Sequence, residues 1–171
     1  CIYVSANILE PGVILRHGKI LRVVFGARKP EEETEKMREI AKDMACENIE
    51  VILSEDIRRD AMVKFSYVSP IGVAGLYCNA TAADFQKDGE AREMFKALMT
   101  EIVALSHAMG MEFQEDLVER NLKIVAPLAP EATTSMQRDV YAGKKSEIDG
   151  LVYEIVRLGK EYGVPLPEYE K

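Results

Sequence analysis

The sequence predicts a mainly α-helical protein whose helices are preceded by a small α/β segment. Three observations carry that expectation. Up to about residue 56, short β-prone runs alternate with turn signals and one helix, whereas beyond it apolar residues recur only at helical spacing. Gly110, Gly143 and Gly163 each close a stretch of that spacing, as helix stops do. The 171 residues are 47% hydrophobic and 30% charged, so the chain is globular and long enough to bury roughly 70% of its unfolded surface.

Taken in order, Ile2 to Val4 is β-prone, Pro11-Gly12 is a turn, and Val13 to Leu15 is a second short run. His17-Gly18 reads as another turn, and Ile20 to Phe25 as a strand closed by Gly26. An antiparallel hairpin is the expected product. Pro30 with Glu31, Glu32 and Glu33 reads as a helix start, because proline suits the first turn and carboxylates suit the positive end of the helix dipole. Met37, Ile40, Ala41 and Met44 give that helix one apolar face, and Val51 to Leu53 is a short buried strand.

From Asp56 the helical period takes over. Met62, Phe65 and Val68 begin a helix running towards Ser69-Pro70, and Ile71 to Tyr77 either continues it or starts another. Gly72 and Gly75 predict close backbone packing there. Asn79, Thr81 and Asp84 supply turn and capping groups ahead of the stripe Met94, Phe95, Leu98, Met99, Ile102 and Leu105, which reads as a core face rather than a binding groove. Leu117, Ile124 and Leu128 mark a further helix, and Ser135, Met136 and Val140 another. Ile148, Leu151, Val152, Ile155 and Leu158 mark the last, with a short tail after Pro165.

Charge narrows the partners. Lys and Arg number 22 against 29 Asp and Glu, a net charge of −7 with no basic run, which argues against a nucleic-acid backbone or an anionic membrane. Pro70 to Ala83, the longest weakly polar stretch, is broken by glycines and falls short of the ~20 apolar residues of a membrane span. Cys1, Cys46 and Cys78 follow no disulfide or zinc spacing, and predict a reducing cytoplasmic setting with no metal. His17 and His107 each stand without catalytic partners nearby in sequence. The abrupt, strand-like opening Cys1-Ile2-Tyr3-Val4 is the beginning expected of a piece of a longer chain.

Two stretches say more than amphipathicity does. Ala61 to Pro70 carries Lys64 inside an otherwise apolar helix. Thr133 to Gly150 contains Thr134-Ser135-Met136, then Asp139, Gly143 and the run Ser146-Glu147-Ile148-Asp149. Together they resemble the C-terminal domain of the ketopantoate reductase (2-dehydropantoate 2-reductase) family. Pro11 to Gly26 is similar to the last strands of that family's nucleotide domain, so the resemblance spans essentially the whole chain. It implies residues 1–56 as the end of an NADP-binding Rossmann domain. Residues 57–171 would then be a helical substrate and catalytic domain, like the C-terminal domain of 6-phosphogluconate dehydrogenase. No G-x-G-x-x-G occurs among the 11 glycines, so the main phosphate-binding turn for the cofactor is not in this sequence.

The resemblance also implies an activity and its residues. The activity is reduction of a 2-keto acid by NADPH, in that family ketopantoate to pantoate in pantothenate biosynthesis. Lys64 matches the family's general acid, which stabilises the developing alkoxide and returns a proton to it. Ser135 matches a serine that hydrogen-bonds the substrate, and Glu147 a glutamate that helps hold the cofactor. Val68 and Ala132 stand where the family usually has asparagines that orient the acid, so the reaction type is implied more firmly than ketopantoate itself. The alternative is a non-catalytic helical packing or dimerisation module, in which Lys64 snorkels to solvent, Glu147 caps the last helix and Ser135 bonds its own backbone. An unpaired strand edge would favour a homodimer under either reading.

Overall fold

In the computed structural model the backbone is described throughout, and the side chains of all residues but Ser5, Asn7, His17, Gly18, Lys19, Ile20 and Pro30. The isolated candidate His17 thus lies outside the described side chains. The chain divides into two units, Cys1–Ala61 and Met62–Lys171.

In the first unit Gly12, at φ +85°, turns the chain between β1 (Ile2–Glu10) and β2 (Val13–Phe25), which pair antiparallel as the hairpin expected from Pro11-Gly12. The turn expected at His17-Gly18 does not form. β2 runs through it, and a register shift between Val4 and Ala6 absorbs the extra residues as a bulge-like irregularity. The helix start expected at Pro30 is only a 3-10 turn, Pro30–Glu32, and α1 (Glu35–Met44) begins after it. β3 (Glu50–Leu53) then pairs parallel with β2, giving the sheet order β1-β2-β3. At the end of the sheet Ser54 donates from its hydroxyl to the Asp60 carboxylate at 2.6 Å.

The second unit is built around α4 (Glu90–Ala108), whose stripe from Met94 to Leu105 is buried as its spacing predicts. Phe95, fully buried, meets Tyr67 edge-on with ring centroids 6.3 Å apart and Phe85 at 5.4 Å. α2 (Ile57–Tyr77) is one continuous helix through Pro70, which settles the open choice at Ile71. Buried polar groups knit its middle to its neighbours. Ser66 accepts from Asn121 of α5 (Leu117–Val125), and Ser69 donates to the Leu151 carbonyl at 2.5 Å. The Ser69 hydroxyl is also 2.6 Å from that of Tyr169.

The predicted close approach at Gly72 and Gly75 is present. A Cβ at Gly72 would stand 2.6 Å from the Met136 methyl, and one at Gly75 2.5 Å from Gln137 Cδ. Glycine lets α6 (Ser135–Tyr141) sit directly against the α2 backbone. α3 (Ala82–Phe85) carries the capping box of Thr81 and Asp84. The last helix differs from expectation at its start, where a π-helical turn (Asp149–Tyr153) precedes α7 (Glu154–Tyr162). Leu128 falls outside α5. The expected loose tail is instead anchored: Leu166 and Tyr169 are buried, and Glu101 accepts from the backbone N–H groups of Glu168 and Tyr169.

Candidate functional site

Lys64, half-buried, lies on α2 with Tyr67 three residues on and Ile71 seven on, positions that share one helix face. Tyr67 and Ile71 form one wall of a cavity of about 50 Å³ in the second unit. Ala82, Phe85, Leu128 and Ala132 supply other apolar walls, and Thr133, Thr134 and Gln137 the remaining surface. Ser135 follows Thr134 directly as the first residue of α6, with its side chain exposed. One cavity is therefore bounded by Tyr67 and Ile71 of α2 and by Ala132, Thr133 and Thr134 ahead of α6; Lys64, Ser135 and Glu147 are not among its lining residues.

The walls are tied to one another. Ala82 N–H donates to the Ala132 carbonyl and Ala83 N–H to that of Pro130, each at 2.9 Å, joining α3 to the turn before α6. Gln86 Nε2 donates to the Leu128 carbonyl at 2.8 Å. Gln137 accepts from Thr134 N–H through Oε1 and donates through Nε2 to the Ala80 carbonyl at 2.8 Å. Thr134 Oγ1 accepts from Gln137 N–H, completing a second capping box.

That box bears on Ser135. The capping hydroxyl is that of Thr134, and the Ser135 side chain makes no hydrogen bond among the described residues. The reading in which Ser135 bonds its own backbone is therefore not what the structure contains. Glu147 is exposed in the segment before the π-helical turn, and its carboxylate likewise has no hydrogen bond or ion pair among the described residues. It does not cap the last helix. Its main-chain carbonyl accepts from Leu151 N–H at 2.9 Å, and the Leu151 carbonyl in turn accepts from Ser69 on α2. π-helical turns of this kind are frequent at functional sites.

His107 is exposed near the end of α4, 3.7 Å from the Glu112 carboxylate and tilted against Phe113. Tyr67, Ile71, Thr133 and Gln137 were not singled out as site residues in the sequence. The Thr-Thr-Ser-Met-Gln run around the second capping box was the available signal for the last two.

Burial pushes the Tyr67 phenol up to about 12, and burial likewise pushes that of Tyr169 up. An unfolded tyrosine titrates near pH 10. Between about pH 10 and 12 the unfolded chain therefore loses these protons before the folded one. Their contribution to stability is complete below about pH 10 and is lost as pH rises towards 12, on the order of 2–3 kcal/mol for Tyr67. Urea unfolding across this range should show the fall, and Tyr67→Phe should reduce it. A flat profile would contradict the assignment.

No helix among the described residues is long and apolar enough to cross a membrane. Over residues 56–171 the chain matches the family described as "Ketopantoate reductase PanE/ApbA C terminal". It is 26% identical over 166 residues to a 2-dehydropantoate 2-reductase of Mesorhizobium japonicum, covering 97% of this chain and 50% of that protein. The chain thus spans about half the length of the curated relative it matches. A crystal structure of 2-dehydropantoate 2-reductase from Geobacter metallireducens superposes with a TM-score of 0.86 at 20% identity, over 99% of this chain and 56% of that one. The ternary structure of D-mandelate dehydrogenase with NADH and anilino(oxo)acetate superposes with a TM-score of 0.84 at 18% identity, over 99% and 55%. These neighbours share the fold, and the match from residue 56 to the last residue covers most of the sequence: the chain belongs to the ketopantoate reductase family, by that family's C-terminal domain.

Proposed function

We propose that the chain is the C-terminal part of an NADPH-dependent reductase that converts a 2-keto acid to the 2-hydroxy acid. Residues 1–56 would be the end of the cofactor domain, and residues 57–171 the helical domain that binds substrate and supplies the acid. The observation that supports the reading is that Lys64, Ser135 and Glu147 all fall within the part that matches the family, Lys64 one helical turn from the cavity wall at Tyr67 and Ser135 next to the wall at Thr134.

The residues present fit only a peripheral part of the cofactor. Glu147 offers an exposed carboxylate without a competing partner, suited to accept hydroxyl hydrogens, but no glycine-rich turn is at hand for a pyrophosphate. NADPH, when bound, supplies the hydride. Lys64 does the work at the other atom: its ammonium meets the carbonyl oxygen as negative charge develops there, lowers the energy of the alkoxide and passes it a proton. Ser135, with its hydroxyl uncommitted, holds the acid in register for that transfer.

The keto acid would thereby gain two electrons and two hydrogens, one as the hydride and one as the proton that Lys64 passes on. The separate, unpaired cysteines suit a cytoplasmic setting. A homodimer is the expected assembly, because β1 and β2 carry exposed apolar side chains such as Ile8 and Ile14. Light scattering of the chain over a range of concentrations reads this association, and a monomer throughout counts against it.

The direct test is an assay of the full-length protein with NADPH and a panel of 2-keto acids. One NADPH should be consumed for each hydroxy acid formed. Glu147→Ala should raise the KM for NADPH with a smaller effect on kcat. If no 2-keto acid supports NADPH oxidation, the non-catalytic module replaces this reading.

A further inference from the structure

We propose that Ser69 and Tyr169 are positioning residues for the reaction. Their hydrogen-bond chain to the Leu151 carbonyl ties the helix of Lys64 to the turn that follows Glu147, and so sets the spacing between proton donor and cofactor contact. This rests on the reductase reading above and adds the residues that hold its parts in register.

The direction of the chain follows from what each atom can do. The Leu151 carbonyl can only accept, so the single hydroxyl hydrogen of Ser69 goes to it, at 2.5 Å. The 2.6 Å contact between the hydroxyls of Ser69 and Tyr169 is then made with the tyrosine as donor. Ser69 has no exposed surface and Tyr169 is buried, so water does not compete for either link. Burial pushes the Tyr169 phenol up, which keeps the donor proton in place. Two bonds running one way in a dry interior polarise and strengthen each other.

Both ends of the chain matter to the proposed chemistry. Ser69 follows Lys64 on α2, and the next residue, Pro70, brings no N–H to the Ser66 carbonyl, so the helix lacks a rung there and leans on lateral bonds. At the other end Leu151 N–H donates to the Glu147 carbonyl at 2.9 Å. Glu154 N–H reaches back to the Asp149 carbonyl, the wide bond of the π-helical turn. A side chain inserted into the helical ladder is one cause of such irregularity, and the Ser69 hydroxyl enters at a carbonyl inside this turn. Tyr169 is itself held from two sides. Glu101 of α4 accepts from Glu168 N–H at 2.7 Å and Tyr169 N–H at 3.2 Å. Leu166 lies so close to α7 that a Cβ at Gly159 would stand 2.5 Å from its Cδ1.

In the proposed roles Lys64 serves the keto oxygen and Glu147 the cofactor, so the bond between their two elements sets how well hydride and proton transfer are aligned. A double-mutant cycle in the full-length protein, with NADPH and the best of a panel of 2-keto acids, tests this. Ser69→Ala should lower kcat by at least about 10-fold, since a misplacement of about 1 Å can cost about 10²-fold. It should also raise the KM for NADPH by at least about 3-fold, and this second effect should vanish once Glu147→Ala has removed the contact being positioned.

Tyr169→Phe removes the donor and leaves Ser69 its bond to Leu151. It should move both parameters the same way by about 3-fold, and it runs the same cycle if Ser69→Ala does not fold. Ser106→Ala is the control for a merely structural effect: that serine is equally buried, but its hydroxyl bonds the Ile102 carbonyl of its own helix. Both parameters should stay at wild type in it. A KM effect that persists in full beside Glu147→Ala, wild-type kinetics in Ser69→Ala or Tyr169→Phe, or an equal effect of Ser106→Ala overturns this inference while leaving the reductase standing. Absence of turnover by the wild type with every acid overturns both.

Discussion

Lys64→Ala in the full-length protein should lower kcat/KM for the proposed 2-keto acid reduction by at least about 10²-fold, the scale of losing a positioned acid, which corresponds to about 2.7 kcal/mol of transition-state stabilisation. The loss should fall mainly on kcat. In the proposed role the ammonium would act on charge that exists only once hydride has begun to move, and so would contribute little to ground-state binding. α2 is suited to hold such a group still: it runs unbroken from Ile57 to Tyr77, and Ser66 and Ser69 hydrogen-bond its middle to Asn121 and to Leu151. Truncating a half-buried lysine on a helix so anchored should leave helix content unchanged by circular dichroism. An enzyme that stays within a few-fold of wild type on every 2-keto acid, with that helix content intact, would make Lys64 a snorkelling side chain and remove the catalytic assignment.

The second large effect belongs to the core behind the cavity. Phe95→Ala should destabilise the chain by about 3–5 kcal/mol, the range for deleting a fully buried aromatic ring. The ring has no exposed surface and touches two others, Tyr67 edge-on and Phe85 at 5.4 Å, each such pair adding roughly 0.5–1.5 kcal/mol beyond the area it buries. Both partners are also cavity walls. The substitution should therefore loosen that cavity as well as the fold, and Phe95→Leu, which keeps much of the volume, should do less of both. Urea unfolding followed by circular dichroism measures the first effect. A loss under about 1 kcal/mol would mean that the second unit does not depend on this cluster.

Much of the helical half was legible from spacing alone. The stripe from Met94 to Leu105 is buried because a period near 3.6 leaves those residues no other common face, and Gly143 and Gly163 end their helices with φ of +63° and +67° because glycine adopts that conformation without strain. The hairpin at Pro11-Gly12 was legible for the same kind of local reason. What spacing could not reveal was every feature decided by groups distant in sequence. His17-Gly18 carries a local turn signal, yet β2 continues through it because pairing with β1 resumes on both sides of the irregularity. Pro70 is a local helix breaker, yet α2 passes it, with hydrogen bonds from Ser69 to Leu151 and from Asn121 to Ser66 fixing the helix around it. The segment after Pro165 has no periodic pattern, yet Leu166 and Tyr169 bury themselves and Glu101 accepts from the backbone N–H groups of Glu168 and Tyr169.

The candidate site divides along the same line. Lys64, Ser135 and Glu147 were picked out by sequence, through a pattern of residue types in register over Thr133 to Gly150 and an upstream lysine. Their surroundings were not. That Thr134 rather than Ser135 does the capping, that Ala132 and Ile71 line one cavity, and that Gln137 is fully engaged within its wall depend on α6 lying flush on α2, a contact that the absent Cβ atoms of Gly72 and Gly75 permit. Sequence by itself determined which residue types can carry the chemistry and which faces must be buried, because both are set by side-chain chemistry and local periodicity. Only the tertiary structure decided the cavity's size and the commitment of its polar groups, because those depend on distances between residues about sixty positions apart in the chain: a Cβ added at Gly75 would stand 2.5 Å from Gln137 Cδ.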